Sequence, residues 1–221
     1  MKIKKNIVIV GTVRNVGNTL NKNFYNIEKS LKGIPKNWYL IESDSSDKTV
    51  QILEKLKKNN TNFNYLSLGN LTKNYKNKLI RLAYCRNKYL EFVKKNKFEY
   101  MIVADLDLNF NSLHEKELLK CFKRKDWTVC SANCNGPYYD IGALRHEIWS
   151  PNDATQQWKF YNNFSKDYVG NSIRSIQSRM ITIEKTMPWI RVESAFNGMA
   201  IYRVKNLNGC KYKGVYKNQR I

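Results

Sequence analysis

The sequence predicts an α/β fold, with a mostly parallel sheet flanked by helices in a single domain. Two observations predict it. Between residues 5 and 104, short apolar, β-branched runs alternate with segments whose apolar residues recur at helical spacing, the pattern of strands joined by helical crossovers. Three of the apolar runs lead directly into the polar segments Thr12–Asn15, Glu42–Asp47 and Asp105–Asp107. Parallel sheets bind ligands outside the carboxyl ends of their strands.

The elements follow in order. Lys5 to Gly11 is a β-branched run that reads as a buried strand, and Thr12 to Asn18 reads as a polar turn. Leu20, Phe24, Ile27 and Leu31 recur as one helical face. Trp38–Ile41 is a second strand. Val50, Ile52, Leu53 and Leu56 mark a helix that Ser46 or Asp47 is placed to cap. Phe63–Leu68 is a third strand, residues 76–95 a long helix, and Tyr100–Ala104 a fourth strand. Beyond Phe110, Leu113–Phe122 reads as a helix and Trp127–Ala132 as a strand. Residues 133–152 read as irregular and aromatic, and 153–190 are polar with no clear period. Ser194–Tyr202 closes the pattern as a strand. The expectation is one domain over residues 1–221. A ligand-binding half covers about 1–110, and a second half, about 111–221, has no separate core.

Composition narrows the function. The chain has 221 residues, 39 Lys+Arg against 18 Asp+Glu, a net charge of +21, and 42% hydrophobic residues. That content excludes a disordered chain. No apolar run reaches the ~20 residues of a membrane-spanning helix, and Ile7–Val10 is too short for a signal-peptide core. A soluble, cytoplasmic protein is expected. Five cysteines without a Cys-x-x-Cys pair, and only two histidines, His114 and His146, argue against structural zinc and for reduced thiols. Both histidines read as surface residues. The sequons at Asn59, Asn70 and Asn163 are expected by chance in so asparagine-rich a chain. The charge suits an anionic partner: nucleic acid, a membrane surface or a phosphorylated substrate. Dispersed lysine mixed with asparagine equally reads as a compositional bias.

The candidate chemistry lies at the strand ends. In Asp105-Leu106-Asp107 the two carboxylates point the same way while Leu106 turns inward. Such a pair needs a cation, and hard oxygen ligands suit Mg²⁺ or Mn²⁺ with a phosphate completing the shell. Glu42 and Asp44 can accept hydrogen bonds from ribose hydroxyls or a base edge. Arg86 sits in a stripe of Leu79, Ala83, Leu90 and Val93 and needs a partner there, either a diphosphate or an internal carboxylate, Glu42 or Asp105. Arg81 and Asn87 lie off that stripe as further candidates, and Arg14 is either a phosphate contact or a solvated turn residue. The aromatic loop Gly136–Arg145 carries Asp140 and Arg145, and its aromatic faces suit a sugar or another polyol. Asp140 and Glu193 are each a candidate general base for an acceptor hydroxyl, or structural.

Taken in order, Gly11–Val16, Ile41–Thr49, Arg81–Asn87, Asp105–Asp107, Tyr139–Arg145 and Ser194–Arg203 resemble the GT-A (Rossmann-like) glycosyltransferases. The resemblance is to a branch related to the fungal capsule-associated mannosyltransferases and to viral and bacterial sugar transferases. It spans about residues 7–203. It implies a hexosyltransferase-type enzyme with a UDP- or GDP-linked sugar donor, a glycan or glycoprotein hydroxyl as acceptor, and Mn²⁺ or Mg²⁺ as cofactor. Thr12, Arg14 and Glu42 would hold the nucleotide. Asp44 and Arg86, with Arg81 nearby, would lie near the base or diphosphate. Asp105 and Asp107 would take ribose and metal. Asp140 and Arg145 would face the sugar, and Glu193 the acceptor. Ser43 stands where relatives often have asparagine. The Cys-Glu-His segment that relatives often show after the last strand is missing before Ile221, so a domain truncated from a longer chain is expected.

Two other readings compete. A nucleotidyltransferase also uses paired aspartates, but no glycine-rich phosphate loop follows the first strand. A basic nucleic-acid-binding protein would explain the charge and the 14 tyrosines, but no recognised binding motif is present, and no specific nucleic-acid partner is expected.

Overall fold

The computed structural model describes residues 6–215. Lys5, where the sequence reading opens its first strand, and the chain end at Ile221 lie outside them. The chain divides into two compact units, one of residues up to Cys130 together with those from Ile201 on, the other Ser131–Ala200.

The first unit carries β1 (Ile7–Val13), α1 (Leu20–Ser30), β2 (Lys36–Glu42), α2 (Thr49–Asn59), β3 (Phe63–Ser67), α3 (Lys78–Lys95), β4 (Tyr100–Ala104) and α4 (Glu115–Lys123). With β5 (Val129–Ser131) and β6 (Met199–Arg203) the strands form one sheet in the order β3-β2-β1-β4-β6-β5. β1 pairs in parallel with both β2 and β4, and β2 with β3. The α/β class expected from the sequence is therefore the one observed. The β5–β6 pair departs from it. The Ala132 N–H bonds the Met199 carbonyl and the Arg203 N–H bonds that of Thr128, so one strand rises as the other descends and the pair is antiparallel.

Alternation along β2 seats the helices. Successive strand residues face opposite sides of the sheet, so Trp38 packs against Phe24 of α1 at 4.9 Å while its neighbour Tyr39 stacks on Phe92 of α3 at 3.9 Å. α1 buries Leu20, Phe24 and Ile27 as expected. In α3, Ala83, Leu90 and Val93 are buried, but Leu79 is exposed, which corrects the expected stripe at its first turn. The N-cap of α2 is Lys48, which makes no side-chain cap bond; Asp47, one residue earlier, accepts the Thr49 N–H on its Oδ1 at 2.9 Å. The Ser46 N–H is turned instead to Asn15.

Cys121 on α4 and Cys130 on β5 bring their sulfurs to 3.1 Å. Their hydrogen bond lowers the Cys121 thiol pKa and, with burial, raises that of Cys130. Since the thiolate is the reactive form, incubation with glutathione disulfide is expected to join this pair, each glutathione leaving as a thiol. Peptide mapping then finds Cys121 linked to Cys130. A map with neither residue cross-linked overturns the expectation.

The second unit has its own core, which corrects the expectation of none. Tyr138, Ile141, Leu144 and Ala154 are buried together, with Trp149, Ile176, Met180 and Val192 packed against them. It also holds two helices in the stretch that showed no period, α5 (Ala154–Phe164) and α6 (Tyr168–Ser175). His146 is partly buried rather than a surface residue. Its Nδ1 accepts the N–H groups of Ile148 and Trp149 at 3.1 and 3.0 Å.

Candidate functional site

The strand order reverses at β1. The chain moves outward through β2 and β3, then returns to place β4 on the other side of β1. Ligands of open α/β sheets bind at such a switch point, outside the carboxyl ends of the strands. β1 continues through Thr12 and Val13, two residues beyond the predicted strand end, so the loop at this edge starts at Arg14. On the other side, β4 ends at Ala104 and delivers Asp105 and Asp107. The two strands touch closely at this end: a Cβ on Gly11 would lie 2.5 Å from the Ala104 carbonyl oxygen, so only glycine fits without moving backbone.

The Asp105–Asp107 turn is held from below. Leu106 is buried, as the alternation predicted, and Asp107 is exposed. The Leu106 carbonyl accepts from the Thr19 hydroxyl at 2.8 Å and from Asn23 Nδ2 at 2.9 Å, and the same Asn23 amide donates to the Leu108 carbonyl. Thr19 is the N-cap residue of α1, but its side chain makes no cap bond to that helix. Asn23 is 2% exposed, a polar group on the buried face of α1. Neither residue was singled out from the sequence. The available signal was an asparagine between Leu20, Phe24 and Ile27.

The loops after β1 and β2 are laced together. The Asn15 N–H donates to Ser45 Oγ, the Ser46 N–H to Asn15 Oδ1, the Val16 N–H to Thr49 Oγ1 and the Gly17 N–H to Asp47 Oδ2. Asn15 and Asp44 both adopt left-handed backbone, at φ 52° and 59°, which non-glycine residues adopt at a cost and mostly as Asn or Asp. The positions read as donor contacts divide here. Glu42 is buried and spends its carboxylate on the Ser45 N–H and the Ser67 hydroxyl, so it positions the loop. Arg81 donates to the carbonyls of Tyr75 and Lys76 and pins the segment before α3. Thr12 lies at the end of β1 and Arg14 is exposed beside it.

Asp44 keeps an accessible carboxylate. Partial burial pushes its pKa up, but hydrogen bonds from the Thr72 hydroxyl and N–H and from Ser43, with the charge of Arg14, outweigh this and hold it below the usual range. Asp44 therefore contributes stability that is complete above its unfolded pKa, about 3.9, and is lost as pH falls through its lower folded value. Thr72→Val is expected to move the Asp44 midpoint upward in a carboxyl NMR titration. An unmoved midpoint would remove the Thr72 hydroxyl as the cause.

Arg86 lies over the Tyr212 ring, 5.5 Å from its centroid. Tyr212 is fixed by paired bonds to the Asn87 side chain and by the Tyr89 hydroxyl. Burial raises the Tyr202 pKa, and the charges of Arg86 and Asp105 act on it in opposite senses. The Arg86 cation and the Asp105 carboxylate thus share one neighbourhood.

In the second unit, Arg145 is committed to the carbonyls of Gly142 and Leu144 and to Asp153 at 2.7 Å. Asp140 accepts the backbone N–H groups of Asn197 and Ala143. Both are thus engaged by groups of the second unit. Glu193 is exposed, and its N–H donates to the Arg145 carbonyl.

Two hard carboxylates two residues apart are what Mg²⁺ or Mn²⁺ takes when substrate phosphates and waters complete the shell. Among the described residues there is no cluster of three or more His, Cys, Asp or Glu that could hold a metal. Nor, among the described residues, is any helix long and apolar enough to cross a membrane.

Fold and site together define an α/β chain whose switch point carries paired carboxylates. No protein-family model matches the chain, and no curated protein matches it. Among solved structures it is similar to the mannosyltransferase PcManGT from Pyrobaculum calidifontis in complex with GDP-Man and Mn²⁺, at 11% identity over 93% of this chain and 46% of that one, TM-score 0.48. It is also similar to S. aureus TarS 1-349 in complex with UDP, at 17% identity over 92% and 48%, TM-score 0.46. A third is the galactosyltransferase LgtC in complex with donor and acceptor sugar analogs, at 12% identity over 94% and 60%, TM-score 0.47. The chain spans about half the length of these structures.

Proposed function

We propose that this chain is a metal-dependent glycosyltransferase that moves a sugar from a UDP- or GDP-linked donor to a hydroxyl on a glycan or glycoprotein. The observation that carries the reading is Asp105 and Asp107 at the β1/β4 switch point, on a turn that Asn23 and Thr19 clamp from α1. In glycosyl transfer the bond between the anomeric carbon and the diphosphate oxygen breaks, and negative charge grows on that oxygen. Asp105 and Asp107 would hold Mn²⁺ or Mg²⁺, which when bound neutralises that charge. Arg14 and Arg86 add fixed cations, and Thr12 and Asp44 face the nucleotide. Glu42 and Arg81 act by positioning. Of the two general-base candidates, the exposed Glu193 is favoured over Asp140, whose oxygens already hold backbone donors.

A thermal-shift screen of UDP- and GDP-sugars with and without Mn²⁺ tests this, since a ligand selective for the folded state raises apparent stability by mass action. The expected result is a metal-dependent shift with one nucleotide family. No shift with any donor, beside tight and salt-sensitive binding of nucleic acid, would overturn the reading.

A further inference from the structure

The α5–α6 hairpin is amphipathic in the wrong sense for a protein surface. α6 buries Asn171 and Ser175 and exposes Tyr168, Val169 and Ile173. α5 exposes Phe160 and Phe164, one helical turn apart with rings 5.1 Å from centre to centre. The two helices are joined by polar contacts: Asn171 Nδ2 donates to Asn162 Oδ1 at 2.9 Å and to the Ser165 carbonyl. Exposure is 78% at Phe164, 71% at Val169 and 59% at Tyr168. Polar groups inside and large apolar groups outside are the arrangement that water penalises and an apolar phase favours. A groove of about 390 Å³ between the helices adds Tyr161 and Arg174 to this surface.

Charge selects the occupant. Residues 154–175 carry Lys159, Lys166 and Arg174 against a single carboxylate, Asp167. Asp167 is engaged by the Gly170 N–H and by Arg174, which leaves Lys159 and Lys166, both exposed, beside the phenylalanines. The whole chain carries +21, so two copies repel. Nucleic acid would use the lysines and aromatic faces but gains nothing from exposed Val169 and Ile173. An anionic bilayer uses all of them, taking apolar side chains below the headgroups and lysines among them. We infer that the α5–α6 hairpin is a membrane-docking surface that lies on an anionic lipid bilayer without crossing it. This inference does not depend on the glycosyltransferase reading.

The test is co-sedimentation with vesicles of phosphatidylcholine, with and without phosphatidylglycerol. The expected result is strong binding to the anionic vesicles and weak binding to the neutral ones. Phe164→Ser with Val169→Ser is expected to lower the partition coefficient about tenfold or more, and Lys159→Gln with Lys166→Gln to lower it on anionic vesicles alone. The replaced residues are exposed, so unchanged circular dichroism and melting are expected, and Tyr168→Ser with Ile173→Ser provides a second apolar variant should the first fail to fold. Three outcomes overturn the inference. They are no binding to either vesicle, binding that both apolar variants retain, and a self-association that those variants abolish without any vesicle binding.

Discussion

Replacing Asp105 and Asp107 together by asparagine is expected to abolish metal-dependent donor binding. Asparagine keeps the size and shape of each side chain and removes the charge that a hard divalent cation requires. The buried anchor of the turn is Leu106, and the bonds that fix it run to main-chain carbonyls of Leu106 and Leu108, which the substitution does not touch. A cation on a departing diphosphate supplies several kcal/mol of charge stabilisation. At about 1.4 kcal/mol per factor of ten, the double variant should lose at least about a hundredfold in turnover. The metal-dependent part of the thermal shift should vanish, each shift being taken against the same variant without ligand. Donor binding that survives with its metal dependence unchanged would move the site away from this turn and withdraw the proposed function with it.

Much of the first unit was legible because its elements obey one rule each. A strand buried on both faces reads as a continuous apolar run, and Tyr100–Ala104 was placed to the residue. Leu20, Phe24 and Ile27 gave α1 by period alone. The second unit broke the rule. α6 buries Asn171 and Ser175, so its period is inverted and a search for a buried apolar stripe passes over it. The candidate site was legible in position more than in role. A charged residue at a strand end can turn outward to a ligand or inward to the loop's own backbone, and spacing does not separate the two. Glu42, Arg81 and Arg145 turned inward, to partners within about one loop of themselves in space. The clamp on the Asp105–Asp107 turn was harder still, because Asn23 finds its partner 83 residues along the chain.

That clamp gives the second large effect. Asn23→Ala is expected to cost both stability and donor affinity, although alanine is the better helix former. The Leu106 carbonyl keeps the Thr19 hydroxyl, but the bond from Asn23 to the Leu108 carbonyl is lost. A fully buried polar group left without its partner costs about 1–3 kcal/mol; the Leu108 carbonyl is part-buried, so a loss at the lower end, about 1 kcal/mol or roughly 2–4 °C in melting temperature, is expected. The functional loss follows from geometry. Asp105 and Asp107 flank the tethered residue, and a displacement of about 1 Å at reacting groups costs on the order of a hundredfold in rate. Asn26→Ala on the same helix is the control: the Asn26 side-chain amide donates to the exposed Asn111 side chain, and its loss should stay within about 0.5 kcal/mol. The informative readout is the split between the two effects. Adding Mn²⁺ at high concentration should recover part of the donor affinity of Asn23→Ala by mass action and none of its metal-free stability. If stability falls while donor affinity and its metal dependence remain those of the parent, Asn23 serves the core alone, and the turn it holds is not the donor site.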